Sequence, residues 1–202
     1  MSTMALEEKR YFIHPYKFNM WLFIMSVIMI FGGLTSAYIV DISMKPDDRL
    51  FFRIPSILWT NLATILASSV TIQYAAWAER RDDIPKALVG LGLTLFLGLI
   101  FLWGQVKAWG VMTEGGLPFV DASRRDNSAS FFYVLTGLHG FHVIGSLFVL
   151  IYAFIKTGLN NFRKGKESRR ITFDVTVTFW HFLSLLWVFL LVVIWMTQNA
   201  YM

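Results

Sequence analysis

Five windows of the chain, 20–40, 54–78, 87–106, 127–155 and 175–202, contain no Asp, Glu, Lys or Arg. A hydrocarbon core of about 30 Å takes about 20 residues of helix at about 1.5 Å each, so every window is long enough to cross a bilayer. Lipid offers no partner to a backbone N–H or C=O, so each must be satisfied inside the segment. Continuous apolar runs do this as helices, whereas barrel strands would alternate every second residue. The predicted fold class is therefore all-α: a polytopic membrane protein, a bundle of five transmembrane helices. The expected helices are 20–40, 54–78, 86–108, 128–155 and 171–198, in a single transmembrane domain over 1–202.

The chain is 56% hydrophobic and only 15% charged, against about 25% charged for a soluble domain. Its net charge of +5 does not point to nucleic acid, because the basic residues lie between the apolar windows and form no helical stripe. They report topology instead. Of 18 Lys and Arg, 12 fall in the N-terminal tail and the second and fourth connections, and 6 in the first and third. The positive-inside rule then puts the N-terminus in the cytoplasm and the C-terminus outside. Glu7 and Glu8 precede the first basic residues, and the apolar stretch after Met20 is too long for a signal peptide, so the first helix is expected to remain in the mature protein. With no Cys, the chain can hold neither disulfides nor thiolate-bound metal.

Small residues recur at helical spacing at Gly33 and Ala37, at Ala63, Ala67, Thr71 and Ala75, and at Gly137, Gly140 and Gly145. Such stripes let helices approach closely. Trp21, Trp77, Trp109 and Trp195 sit near helix ends, where indoles favour the membrane interface.

Polar groups at membrane depth are the local pointers to function, since an unpaired one is costly in lipid. Asn61, Gln73, Gln105, His139, His142 and His181 are the candidates. His139 and His142, three apart, share a face of the fourth helix. With His181 of the fifth they are a candidate metal or haem ligand set. The competing reading makes them groups that hydrogen-bond between helices or to lipid head groups, and their bulky neighbours favour it. Asp174, seven residues before His181, lies on nearly the same face, with Thr178 between them, and forms a small polar seam. Asp174 itself reads as a solvated acid at a helix entrance. Gln105 and Lys107 read as the polar outer end of the third helix.

The run Thr136-Gly137-Leu138-His139-Gly140-Phe141-His142-Val143-Ile144-Gly145-Ser146 closely resembles the signature helix of cytochrome c oxidase subunit III. Phe179-Trp180-His181-Phe182, followed by Leu185-Leu186-Trp187, is similar to the last helix of that family, with Asp174 where an acid stands six residues before the tryptophan. The second helix from Asn61 to Ala75 also lines up without gaps. The resemblance is to the short five-helix bacterial form, which implies a bacterial inner membrane. It departs from the family at acidic positions. Val27 follows Ser26 where many members carry a buried glutamate, Ala108 stands where a glutamate follows Gln105, and Ser184 replaces the usual aspartate.

The resemblance implies a subunit of a haem-copper terminal oxidase that holds no redox centre. It would pack directly on subunit I, beside subunit II and a small subunit IV, hold phospholipid in a cleft, and support proton uptake and turnover stability. Haems and copper would sit in the partner subunits of a cytochrome c or quinol oxidase. His139, His142, Trp180, His181, Asp174, Asn61 and Gln105 would then serve lipid binding or subunit packing, with no catalytic or metal residues. Four histidines and no Cys are too few for two haems and the oxidase coppers. Two alternatives stand beside this reading. A haem b anchor of a quinone-linked oxidoreductase would use His139 or His142 with His181. A small transporter would more often break its helices at midmembrane, whereas Pro15, Pro46, Pro55, Pro85 and Pro118 fall at helix ends or in loops.

Overall fold

A computed structural model describes residues 15–44, 54–116, 128–159 and 166–199. These form five helices: α1 (Pro15–Met44), α2 (Ile57–Arg80), α3 (Ile84–Glu114), α4 (Ser128–Leu159) and α5 (Lys166–Asn199). The described residues contain no strand, in keeping with the all-α expectation. Of the Lys and Arg in the charge count, Lys9, Arg10, Lys45, Arg49, Arg53, Arg124, Arg125, Arg163 and Lys164 lie outside them, as do His14, Pro46 and Pro118.

The helices overrun the uncharged windows at most ends. An uncharged window marks the stretch that tolerates hydrocarbon, whereas a helix ends only where capping or chain geometry stops it. α1 starts on Pro15, tolerated there because the first turn needs no N–H at that position. α3 runs on to Glu114 before Gly115, so its 31 residues span about 46 Å, well beyond the bilayer core. At its start Asp83 is the N-cap: its Oδ1 accepts the Lys86 N–H at 3.4 Å. The Lys86 ammonium also donates to the Asp83 carboxylate, which holds that carboxyl below its usual range. The α2–α3 turn is closed by Asp82 at φ 59°, a left-handed conformation that Asp tolerates better than most residues.

Four helices are long and apolar enough to cross a membrane: α1, α3, α4 and α5. α2, at 24 residues, is about 36 Å long but carries Thr60, Asn61, Thr64, Ser68, Ser69, Thr71 and Gln73, which lower its apolarity.

Packing explains how α2 is accommodated. α2, α3, α4 and α5 form a closed ring in which each touches its two neighbours, and α1 lies outside it against α4 and α5, touching neither α2 nor α3. α2 buries Asn61 and Ser68 inside the ring and turns Leu66 and Val70 outward. Glycines set the spacing. A Cβ on Gly90 would lie 2.7 Å from the Ala75 Cβ, and one on Gly98 would lie 2.8 Å from the Trp180 ring. Trp180 and Trp187, both fully buried, fill the space inside.

The small-residue stripes divide. Ala75 is at the α2–α3 contact, but Ala63 and Ala67 are exposed. Gly33 and Ala37 face outward, with open space beside Gly33. Trp109 is turned inward, its indole N–H donating to Thr136 Oγ1 at 3.0 Å, while Trp21, Trp77 and Trp195 stay exposed.

Candidate functional site

The three described histidines do not converge. Residues three apart on a helix differ by about 60° in azimuth, enough to send His139 and His142 to different neighbours. His139 points into the ring, fully buried, stacked on Trp187 at 5.1 Å between ring centroids and edge-on to Phe101 at 5.8 Å. His142 points to α1. Its Nδ1 lies 2.8 Å from the Leu138 carbonyl one turn back, and its ring meets Phe31 at 5.7 Å and Phe23 at 6.1 Å. His181 faces α2, with Nε2 3.1 Å from Gln73 Oε1. The shared-face expectation for His139 and His142 is thereby corrected, and among the described residues no three His, Cys, Asp or Glu side chains gather as a metal-ligand group.

Val27 lies midway between Phe23 and Phe31 and is buried, so helical periodicity aims it at the His142 side of α1. Val27 therefore faces His142, a histidine of the signature run. His142 bonds its own helix backbone instead.

The Trp-His-Phe motif ties α5 to α2 through hydroxyls. The Trp180 indole N–H donates to Ser68 Oγ at 3.0 Å, and Ser68 donates to the Ile65 carbonyl at 2.7 Å. One turn further on, Ser69 donates to Ser184 Oγ at 2.8 Å, and Ser184 donates to the Trp180 carbonyl at 3.0 Å. Ser184 completes a neutral hydroxyl chain. On the α3 side Thr71 and Thr94 meet at 2.8 Å.

Two expectations are corrected by the helix ends. Gln105 does not close α3: the helix continues nine residues past it, and its side chain is buried. Lys107 is exposed, its ammonium 5.6 Å from the Trp103 ring centre. Asp174 lies inside α5, which starts at Lys166, and pairs with Lys17 of α1 at 2.7 Å. The expected seam divides at this point: Thr178 donates to the Asp174 backbone carbonyl, while His181 turns to Gln73.

Sequence reasoning missed the best-buried ion pair. Arg169 Nε donates to Glu79 Oε1 at 3.0 Å, and Nη2 to Asp82 at 2.8 Å. Glu79 and Arg169 are 2% and 8% exposed. The available signal was an acid at the end of one window and a base at the start of another, both assigned to the same side of the membrane.

A groove of about 450 Å³ opens between α3 and α4, lined by Leu102, Trp103, Gln105, Trp109, Gly137 and Gly140 among others. Its lining is apolar except for Gln105.

These contacts lie on the stretches that match known proteins. The family model for Cytochrome c oxidase subunit III matches residues 3–198. Cytochrome c oxidase subunit 3 of Bacillus sp. (strain PS3) is 28% identical over 198 residues, covering 95% of this chain and 88% of that one. Probable cytochrome c oxidase subunit 3 of Mycobacterium tuberculosis (strain ATCC 25618 / H37Rv) is 30% identical over 131 residues, 65% of this chain and 61% of that one. Cytochrome bo(3) ubiquinol oxidase subunit 3 of Pseudomonas aeruginosa is 25% identical over 183 residues, 89% of this chain and 83% of that one. The family match spans all five helices and takes in the His139–His142 and Trp180–His181 contacts that join them; the chain belongs to the cytochrome c oxidase subunit III family.

Proposed function

We propose that this subunit of a haem-copper oxidase is an accessory subunit that carries no haem or copper. It packs on subunit I, beside subunit II and a small subunit IV, holds phospholipid, and supports proton uptake and turnover stability. The observation that carries this reading is the divergence of the three histidines. His139 is enclosed by Phe101 and Trp187, His142 is held to its own helix beside α1, and His181 is bonded to Gln73. A haem b anchor needs a pair of such side chains aimed at one macrocycle, so the geometry favours packing over ligation.

The membrane is a bacterial inner membrane, with the N-terminus cytoplasmic. Lys17, Arg80, Arg81, Lys86, Lys156, Arg169 and Arg170 all belong to the helix ends on one side of the ring, the side that the charge count assigns to the cytoplasm. The donor to the whole complex, cytochrome c or quinol, is decided in other subunits; relatives named for each occur. The test is purification of the full chain from its own membranes in mild detergent. Co-purification with the haem- and copper-bearing oxidase subunits is expected, and co-purification with a quinone-linked dehydrogenase would overturn the proposal.

A further inference from the structure

We infer that the four-helix ring encloses a hydration site: water held by Asn61, Gln105, His139 and Trp187, one side chain from each of α2, α3, α4 and α5. All four are between 0% and 3% exposed. Asn61 Nδ2, both Gln105 amide atoms, both His139 ring nitrogens and Trp187 Nε1 have no hydrogen-bond partner among the described residues.

Register brings them to one depth. His139 and Trp187 are stacked, and Phe101 stands edge-on to both. On α3, Gln105 follows Phe101 by one turn. Antiparallel pairing of Trp109 with Thr136 and Gly137, and of Gly98 with Leu147, places Gln105 opposite residue 140, next to His139. On the α2 side the Asn61 amide packs on Gly104, the residue before Gln105, where a Cβ would overlap it. Gly104 thus makes room for a polar group inside the ring, a choice that packing alone would not require.

Six orphaned polar atoms in one apolar ring are an unusual concentration, because buried polar groups in native proteins are nearly all paired. The set contains donors and acceptors, as a water site requires. A buried water makes about three hydrogen bonds, so about two waters suffice for six atoms. Gln105 also lines the groove between α3 and α4 and is the polar residue through which water would pass between that groove and the ring.

X-ray radiolytic footprinting of the intact complex, as purified with its partner subunits, tests this without altering the chain. Radiolysis of bound water oxidises the aromatic side chains beside it. Trp187 and Trp180 are equally buried, at 1% exposure, but the Trp180 N–H is bonded to Ser68 and that of Trp187 is not. The inference expects oxidation of Trp187 several-fold above that of Trp180, together with density within about 2.7–3.2 Å of the Gln105 amide and the His139 ring in a high-resolution map. Equal labelling of the two tryptophans, or a map in which the four side chains bond one another directly, would overturn it.

Discussion

Trp180 of α5 and Ser68 of α2 share a hydrogen bond of 3.0 Å inside a ring of four helices. Their partnership converts a motif tryptophan into a helix–helix tie. Ser68→Ala should leave the indole N–H unpaired and cost about 1–3 kcal/mol. The Ser68→Ala/Trp180→Phe double variant should cost less than the sum of the two single changes, because the shared bond is lost only once. Thermal unfolding of the detergent-solubilised complex, followed by release of this subunit, reads both effects.

A buried and an exposed ion pair at the same end of the molecule should behave differently. Arg169 is buried with Glu79, so Arg169→Met strands a carboxylate and should cost about 3–5 kcal/mol. Lys17 and Asp174 are about 40% exposed, and Lys17→Ala should cost about 0–1 kcal/mol. Denaturation midpoints of the two variants, compared at low and high salt, check the ranking; only the Lys17 contribution should fade with salt.

The Asp83 carboxyl, held low by its bond to Lys86, should remain ionised below the usual carboxylate range. A depressed folded-state value means that its contribution to the α3 N-terminus is present above the unfolded-state value and is lost as pH falls through the folded one. Amide exchange at Lys86 and Ala87 should therefore rise as pH falls below the usual carboxylate range. In Asp83→Asn that acid-dependent step should disappear.

Glycine substitutions separate contact from lipid-facing surface. Gly90→Ala drives a methyl into Ala75 and should cost about 1–3 kcal/mol, while Gly33→Ala enters open space and should leave the stability of the isolated chain unchanged or slightly raised. Unfolding of the two variants in one detergent gives the comparison.

The existence of five helices was legible because an uncharged run of this length has few other fates in lipid, and the family was legible from the Gly-Leu-His-Gly-Phe-His and Trp-His-Phe runs. Azimuth was not. Spacing gives the angle between His139 and His142 but not which neighbour stands at each angle, so a 60° difference separating the ring from α1 looked like a shared face. Helix ends were hidden for a different reason. Charge marks the limit of hydrocarbon, while α3 continues beyond it to Glu114, and that extension moves Gln105 from an end to the interior. Partners such as Glu79 and Arg169, 90 residues apart, meet only through the ring's closure of α5 on α2, which no local pattern encodes.

Topology has its own check. A protease-cleavable tag at the C-terminus should be cut only from the outer face of sealed membrane vesicles, in keeping with the charge count. Cleavage only from the cytoplasmic face would reverse the assignment.

On the proposed function, the motif histidines pack helices and hold no redox centre. The most direct measurement is the optical spectrum and metal content of this chain after separation from an assembled oxidase whose haem and copper have been quantified. The separated chain should show no Soret band and no stoichiometric copper, with the full complement retained by the remaining subunits. One haem per chain travelling with this subunit would contradict it.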